Sequence, residues 1–351
     1  MHPVHFFMGA MTPDMGIDLG TVNTLIYVPG RGIVLFEPSV VAVRPGTNEV
    51  LLDGKAVGNI AKAMLGKAPS TICVTQPLKD GVIADFDLTE VMLRYFIRKV
   101  NKRKWGIRPR VLVAVPGGIT AVEKRAVVSS LERCGAREVF LIGEPKAAAI
   151  GCGLPISEPT AQMVVDIGGG TTEMAVISLG DVFTQTSLRV AGDKMDEAIM
   201  KHMRAHFNLE IGHRTAEGVK IGIGSAFPIN GEITAEVRGR DAIAGLPRSV
   251  TVSSEQIREA LSGPLEQITD AVKTTLEQTS PELASDLLEH GMVLAGGGAL
   301  LRGIDKLLQE ETGIPVRITD DPLTAVARGT GALLENLNLY KDVLRDEDTE
   351  E

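Results

Sequence analysis

The chain carries one unusual pattern twice: an apolar run ending in an aspartate, a glycine turn with threonine, then a second apolar run. The first copy is Gly16-Ile17-Asp18-Leu19-Gly20-Thr21, with an apolar run at 25–28. The second is Met163-Val164-Val165-Asp166-Ile167-Gly168-Gly169-Gly170-Thr171-Thr172, with the apolar run resuming at 174–177. Each reads as strand, tight turn, strand: a β-hairpin whose turn holds no bulky side chain. Glycine opens φ > 0 to such a turn and lets a ligand approach the backbone. Successive N–H groups in a turn form an anion-binding concavity, to which threonine hydroxyls add donors. Asp166, at its strand end, is placed to hold a hydrated cation. One such segment alone is equally well a glycine hairpin without a ligand. Two, far apart, predict similar half-domains that face each other and grip a phosphate chain and its metal from both sides. A third glycine turn, Gly296-Gly297-Gly298-Ala299, follows the apolar Met292-Val293-Leu294 and is expected to open a helix and close over a nucleoside.

At 351 residues the chain is too long for one ordinary core, which predicts two lobes. Charged residues make up 23% and hydrophobic ones 44%, a globular balance. A net charge of −9 argues against general nucleic-acid binding. No apolar run approaches the roughly 18–20 residues that span a bilayer. The N-terminus lacks a basic region followed by a long apolar core, so no signal peptide is expected. Cys73, Cys134 and Cys152 are odd in number and scattered, which reads as small buried hydrophobes in a reducing compartment. His202 and His206 lie four apart on a predicted helix, but without an accompanying carboxylate or cysteine at zincin spacing they do not make a metal site.

Along the chain, strands are expected at 15–19, 25–28, 33–35 and 39–43. Residues 42–78, rich in Gly, Lys and Pro, read as a small inserted subdomain. Leu88, Val91, Met92, Tyr95, Phe96 and Val100 give the next helix an apolar stripe, a core face. Thr120 and Glu123 form a capping box at the start of another helix, ended by Gly135. A strand at 139–142 delivers Gly143-Glu144-Pro145, with Pro145 suited to the first helical position. Glu144 thus stands where a strand ends and a helix begins, the place where active-site groups of α/β proteins gather. The plainer reading is a carboxylate complementing the helix dipole. Residues 150–159 read as a hinge. Gly192-Asp193-Lys194-Met195-Asp196 is expected to cap a helix, 208–252 to form a second insert, and 257–276 a long amphipathic helix kinked at Pro264. Between Arg98 and Arg110, seven basic residues surround Trp105-Gly106-Ile107. A solvated face explains such a run, but basic residues bracketing Trp105 and Ile107 also suit an anionic membrane surface. Phe6-Phe7-Met8 is a second apolar patch, and the acidic tail from 346 to 351 is expected to be disordered.

The order of these pieces resembles the actin, sugar-kinase and heat-shock ATPase superfamily and, within it, the MreB/Mbl family of bacterial actins. The most specific stretches are Ile17-Asp18-Leu19-Gly20-Thr21, Glu37-Pro38-Ser39-Val40-Val41, Asp80-Gly81-Val82-Ile83-Ala84-Asp85-Phe86, Tyr95-Phe96-Ile97, Gly192-Asp193-Lys194-Met195-Asp196-Glu197-Ala198-Ile199 and Gly296-Gly297-Gly298-Ala299-Leu300-Leu301-Arg302-Gly303. The resemblance implies an α/β, actin-like ATPase fold: two similar lobes, each a mixed sheet flanked by helices, with two small inserted subdomains. It divides the chain into 1–41 with 79–157 and a returning helix at 325–351, the insert 42–78, 158–192 with 253–324, and the insert 193–252. It implies ATP and Mg²⁺ in a central cleft. Asp18, Gly20, Thr21, Val22 and Asn23 would form the first phosphate hairpin, and Asp166, Gly168, Gly169, Gly170, Thr171 and Thr172 the second. Asp18 and Asp166 would hold the metal through water. Glu144, helped by Thr171, would position the attacking water. Gly192 and Asp193 join the nucleotide site, with Glu217 and Lys220 at the ribose and adenine and Gly296, Gly297, Gly298 and Ala299 opposite. Trp105 and Ile107 fall where the family inserts a loop into the membrane. Implied too are homopolymeric filaments, slow ATP turnover, a cytoplasmic place at the inner face of the cell membrane, and partnership with the cell-wall elongation machinery. Val22, Gly117, Gly143, Gly218 and Gly222 depart from the family's usual residues. The last two remove side chains beside the adenine.

Two rivals share the fold, and fold alone does not separate them. A small-molecule kinase needs a substrate pocket and a carboxylate base that the short inserts do not supply. A chaperone needs a peptide-binding domain after the ATPase, and the sequence ends soon after the last predicted helix.

Overall fold

The computed structural model describes residues 14–101 and 108–336. The expectations for Phe6-Phe7-Met8, Trp105, Ile107 and the acidic tail lie outside the described residues. The chain divides into two compact units, one of Met1–Ser157, Leu179–Asp181 and Thr324–Glu351, the other of Glu158–Ser178 and Val182–Leu323.

The first unit is built on a five-stranded sheet of β1 (Met15–Leu19), β2 (Asn23–Val28), β3 (Gly32–Pro38), β4 (Arg110–Val115) and β5 (Glu138–Gly143), in the order β3-β2-β1-β4-β5. β1, β2 and β3 pair antiparallel, and β1, β4 and β5 pair parallel. From Val111 to Val115 every residue of β4 is buried, as a central parallel strand covered on both faces requires. The covering helices are α1 (Phe86–Val100), α2 (Ala121–Arg133) and α3 (Glu144–Gly151). Asp85 accepts the Leu88 N–H and starts α1, and Thr120 with Glu123 forms the expected capping box of α2.

The last described helix, Ala325–Glu335, packs on α3 with no room between the backbones. A Cβ built on Gly329 would stand 1.8 Å from the Ala147 carbonyl oxygen, and one on Gly151 1.8 Å from that of Ala325. Neither obstacle is a flexible side chain, so the helices must part. Gly329→Ala is therefore expected to destabilise the protein by about 3 kcal/mol, near the upper end for overpacking. That corresponds to a drop of roughly 6–12 °C in the thermal midpoint. An unchanged melting curve would disprove the close crossing.

The second unit repeats the strand order. Its sheet contains β6 (Gln162–Ile167), β7 (Thr172–Ser178), β8 (Asp181–Leu188), β12 (Met292–Ala295) and β13 (Val316–Ile318), ordered β8-β7-β6-β12-β13. β6 pairs antiparallel with β7 and parallel with β12, and β12 parallel with β13. Around it lie α4 (Gly192–Phe207), α5 (His213–Ile223), α6 (Ser254–Glu277), α7 (Pro281–His290) and α8 (Ile304–Thr312). β9 (Leu209–Glu210), β10 (Thr234–Asp241) and β11 (Pro247–Ser253) form a smaller antiparallel sheet beside α5.

Helix α6 holds Pro264 within its Ser254–Glu277 span. Several local expectations are corrected. Residues 192–196 do not cap α4: Ala191 is its N-cap, without a side-chain cap, and Asp193 complements the helix dipole from the first turn. The third glycine turn opens only a short 3₁₀ segment, Gly297–Leu300. No disulfide joins the three cysteines, and none is buried: Cys73 is exposed, Cys134 and Cys152 half-buried. His202 and His206 stack with ring centroids 4.2 Å apart. Among the described residues no cluster of three His, Cys, Asp or Glu is placed to hold a metal.

Candidate functional site: two glycine hairpins and their supports

The two repeated hairpins occupy matching positions in their sheets. Asp18 lies opposite Leu25 on β2 and Ala114 on β4, and Asp166 opposite Glu173 on β7 and Ala295 on β12. Each aspartate thus stands one residue before the end of the strand at which antiparallel pairing gives way to parallel pairing.

In the first hairpin, Ser39 holds the turn from outside. Its hydroxyl donates to the Gly20 carbonyl at 2.6 Å, and its N–H donates to the Val22 carbonyl at 2.9 Å. Thr24 shares a 2.9 Å hydroxyl contact with Ser39. A Cβ at Gly20 would sit 2.7 Å from the Asn23 carbonyl oxygen, so close approach, and not left-handed φ, demands glycine there. Thr21 is buried and accepts the Gly81 N–H, while Asp18, Val22 and Asn23 are half-buried. With the carbonyls drawn toward Ser39, the N–H groups of Thr21 and Val22 have no backbone acceptor among the described residues.

The second hairpin is supported by a helix. Gly168 N–H closes the turn onto the Thr171 carbonyl at 2.9 Å. The carbonyls of Gly168 and Gly169 accept the first N–H groups of α4, from Gly192 at 3.2 Å and Asp193 at 2.8 Å. Those helix N–H groups have no partner within the helix, so the turn meets a need of α4. None of Gly168, Gly169 and Gly170 takes left-handed φ, which corrects the expectation. The turn lies close against the start of α4, where the helix side calls for glycine: a Cβ on Gly192 would be 3.3 Å from the Gly168 oxygen. The N–H groups of Gly169 and Gly170 have no backbone acceptor among the described residues. The threonines divide the work: the Thr172 hydroxyl donates to the Val190 carbonyl at 2.7 Å and is structural, whereas Thr171 stands in the turn.

Asp166 is only 7% exposed. Burial first, and the facing Glu173 second, push its carboxyl from 3.8 up to about 7. Glu173 is itself buried and accepts the Ser187 hydroxyl at 2.6 Å. The third glycine turn backs directly on this end of β6. Gly296 has φ +77°, and a Cβ there would stand 2.2 Å from Asp166 Oδ1; one on Gly298 would meet Ile167 at the same distance. Gly297 borders Leu323, and Ala299 is fully buried.

Of the other predicted site residues, Glu144 begins α3 directly after β5 and is 9% exposed. Glu217 is half-buried on α5. Lys220, on the same helix, donates to the Gly192 carbonyl at 2.8 Å and pairs with Asp196 at 2.8 Å. Burial raises the Asp196 carboxyl, with Lys220 pulling it down. Gly218 and Gly222 border open space along an open groove of about 370 Å³ between α5 and β10. Sequence reasoning missed the clamp by Ser39, the carboxylate behind Asp166 and the tie at Lys220. Only Glu173 left a signal, as a charge inside an apolar run.

These features suit a magnesium-bound polyphosphate: turns with backbone donors to spare, and a buried carboxyl facing a second carboxylate. The family model described as MreB/Mbl protein matches residues 12–342. The cell shape-determining protein MreB of Escherichia coli (strain K12) is 55% identical over 335 residues, which are 95% of this chain and 96% of that one. The cell shape-determining protein Mbl of Bacillus subtilis (strain 168) is 48% identical, over 93% of this chain and 96% of that one. Among solved structures, MreB 5 of Spiroplasma citri bound to AMPPNP superimposes with a TM-score of 0.88 at 39% identity, covering 94% of this chain and 98% of that one. A MamK double helical filament, at TM-score 0.77 and 24% identity over 92% of this chain and 98% of that one, shares the fold. The fold is actin-like, and the chain belongs to the MreB/Mbl family.

Proposed function

We propose that the chain is a cell shape-determining, actin-like cytoskeletal protein that binds Mg²⁺–ATP, hydrolyses it slowly and polymerises into filaments on the inner membrane surface. The observation that carries this reading is the pair of glycine hairpins with N–H groups to spare, each ending in an aspartate, in a chain 55% identical to a cell shape-determining protein. MreB 5 of Spiroplasma citri has been solved with AMPPNP and with ADP, which supports a nucleotide ligand. The kinase and chaperone alternatives are not favoured, because the relatives are named for cell shape.

When bound, Mg²⁺–ATP supplies the phosphoanhydride and the charge that the site answers. The N–H groups of Thr21, Val22, Gly169 and Gly170 would hold phosphate oxygens, and Asp18 and Asp166 would hold the metal. Glu144, helped by Thr171, orients a water. Glu217, Gly296, Gly297, Gly298 and Ala299 frame the nucleoside. In this reading the smaller sheet with α5 and the region 42–78 are the two inserted subdomains, and filaments work with the cell-wall elongation machinery. Sedimentation on adding ATP tests the core of it: a chain that stays in the supernatant with ATP at all concentrations is no filament former.

Membrane attachment rests on Trp105, Ile107 and the basic residues around them. Each apolar side chain gains roughly 1.5–3 kcal/mol on leaving water, and each nearby cation about 1 kcal/mol at an anionic surface. One subunit therefore binds weakly, and linking sites in a filament raises avidity by about 10²–10⁴. The Trp105→Ser, Ile107→Ser double variant is expected to polymerise but no longer float with anionic vesicles. Full co-flotation of its filaments would remove these residues from the mechanism.

A further inference from the structure

The Lys220 ammonium is mostly enclosed, with 16% of its side chain exposed, between two oxygens of the protein. It donates to the Gly192 carbonyl and forms an ion pair with the buried Asp196, both at 2.8 Å. Gly192 and Asp193 are the residues whose N–H groups hold the Gly168 and Gly169 carbonyls. A Cβ on Gly192 would lie 3.3 Å from both Lys220 Nζ and the Gly168 oxygen, so ammonium, helix start and glycine turn form one close stack. The far end of α5 is tied as well. Arg302, just past the third glycine turn, donates to the carbonyls of Ile221 and Gly224 at 3.1 and 3.2 Å. Helix α5 therefore joins the support of one glycine turn to the exit of another. It does so with Gly218 and Gly222 in its body, each about 1 kcal/mol poorer than alanine in a helix. A helix so weakly held by its own propensity depends on its tertiary ties.

We propose that Lys220 is a positioning residue for the phosphate grip: it fixes the 168–170 turn through the start of α4 and does not read the base. The proposal rests on the nucleotide-binding reading above. Removing one partner of a charge-assisted hydrogen bond, and leaving Asp196 buried without its cation, typically weakens a linked equilibrium about tenfold or more.

The test has two arms. The first is amide hydrogen exchange of the nucleotide-free chain, comparing wild type with Lys220→Met. Exchange is expected to quicken at 168–171 and at 192 and 193, while α6 and β12 keep their protection. The second is calorimetric binding of ATP, GTP and inorganic tripolyphosphate. All three should weaken by the same factor, about tenfold or more, leaving the ratio of ATP to GTP affinity unchanged. Asp196→Asn, which keeps the size and an acceptor, should shift both arms the same way by less, and it serves if Lys220→Met fails to fold. Unchanged exchange at 168–171 overturns the proposal. So does an altered ATP to GTP ratio with tripolyphosphate binding intact, which would make Lys220 a nucleoside contact. Should the wild type bind no triphosphate, the nucleotide reading falls, and the exchange arm alone decides the tie.

Discussion

Replacing Asp166 by asparagine is expected to make the nucleotide-free protein more stable at pH 8 and to abolish ATP binding. The carboxyl sits at about 7 in the folded chain against an ordinary 3.8, raised by burial and by Glu173. Between those values the folded state holds a proton that the unfolded state has released. The unfolded chain then binds fewer protons, so stability falls as pH rises through this window. Below about 4 both states are protonated and the penalty vanishes. Across some three pH units it amounts to at most about 4 kcal/mol. A neutral isostere avoids it, so Asp166→Asn should melt higher than wild type at pH 8 without divalent cations, and alike at pH 4. With Mg²⁺–ATP the order should reverse, since ligand at a hundred times its dissociation constant stabilises wild type by about 2.7 kcal/mol and the variant not at all. Equal melting differences at pH 4 and pH 8 would show that the penalty is not ionisation. Unchanged ATP affinity by calorimetry would take Asp166 out of the site.

That carboxylate illustrates what could be read from the sequence and what could not. The aspartates, their glycine turns and the repeat of the pattern were legible because they are local: an apolar run, a charge, a turn. The matching strand orders of the two sheets follow from the same repeat. What the turns are made against was not legible. The glycines suggested left-handed φ, but the turn at 168–170 takes none and lies instead against Gly192 at the start of α4, a residue-to-residue approach that no local pattern encodes. Cross-strand partners were likewise hidden. Asp18 and Asp166 look equivalent in sequence, yet one faces Leu25 and the other Glu173, so only the second has a like charge opposite it. Lys220 was assigned to the nucleoside by family position, and only the fold shows the two acceptors its ammonium meets. The cysteines mislead for a related reason: composition gives the average burial of a residue type, and Cys73 is exposed at the start of a short strand.

Glu144 is expected to govern turnover and not affinity. It occupies the first residue of α3, directly after β5, and is buried. Two roles fit that place. As a helix-start carboxylate it would contribute about 0.3–1 kcal/mol of stability through the dipole. As the group that orients a water it would contribute about 10²–10⁴ in rate. Glu144→Gln separates them, because the amide keeps the shape and an acceptor oxygen but loses the charge and the basicity. If the carboxylate serves the water, the variant should bind ATP as wild type does and sediment with it, while phosphate release slows by about 10²–10⁴. If it serves the helix, the thermal midpoint should drop by a few degrees at most, with turnover per folded molecule unchanged. The crossing of α3 with the Ala325–Glu335 helix bears on the choice. Gly151 and Gly329 already lock α3 by backbone contact, so the helix has little need of a carboxylate to fix its start. Loss of binding in parallel with loss of turnover would return Glu144 to the structural role.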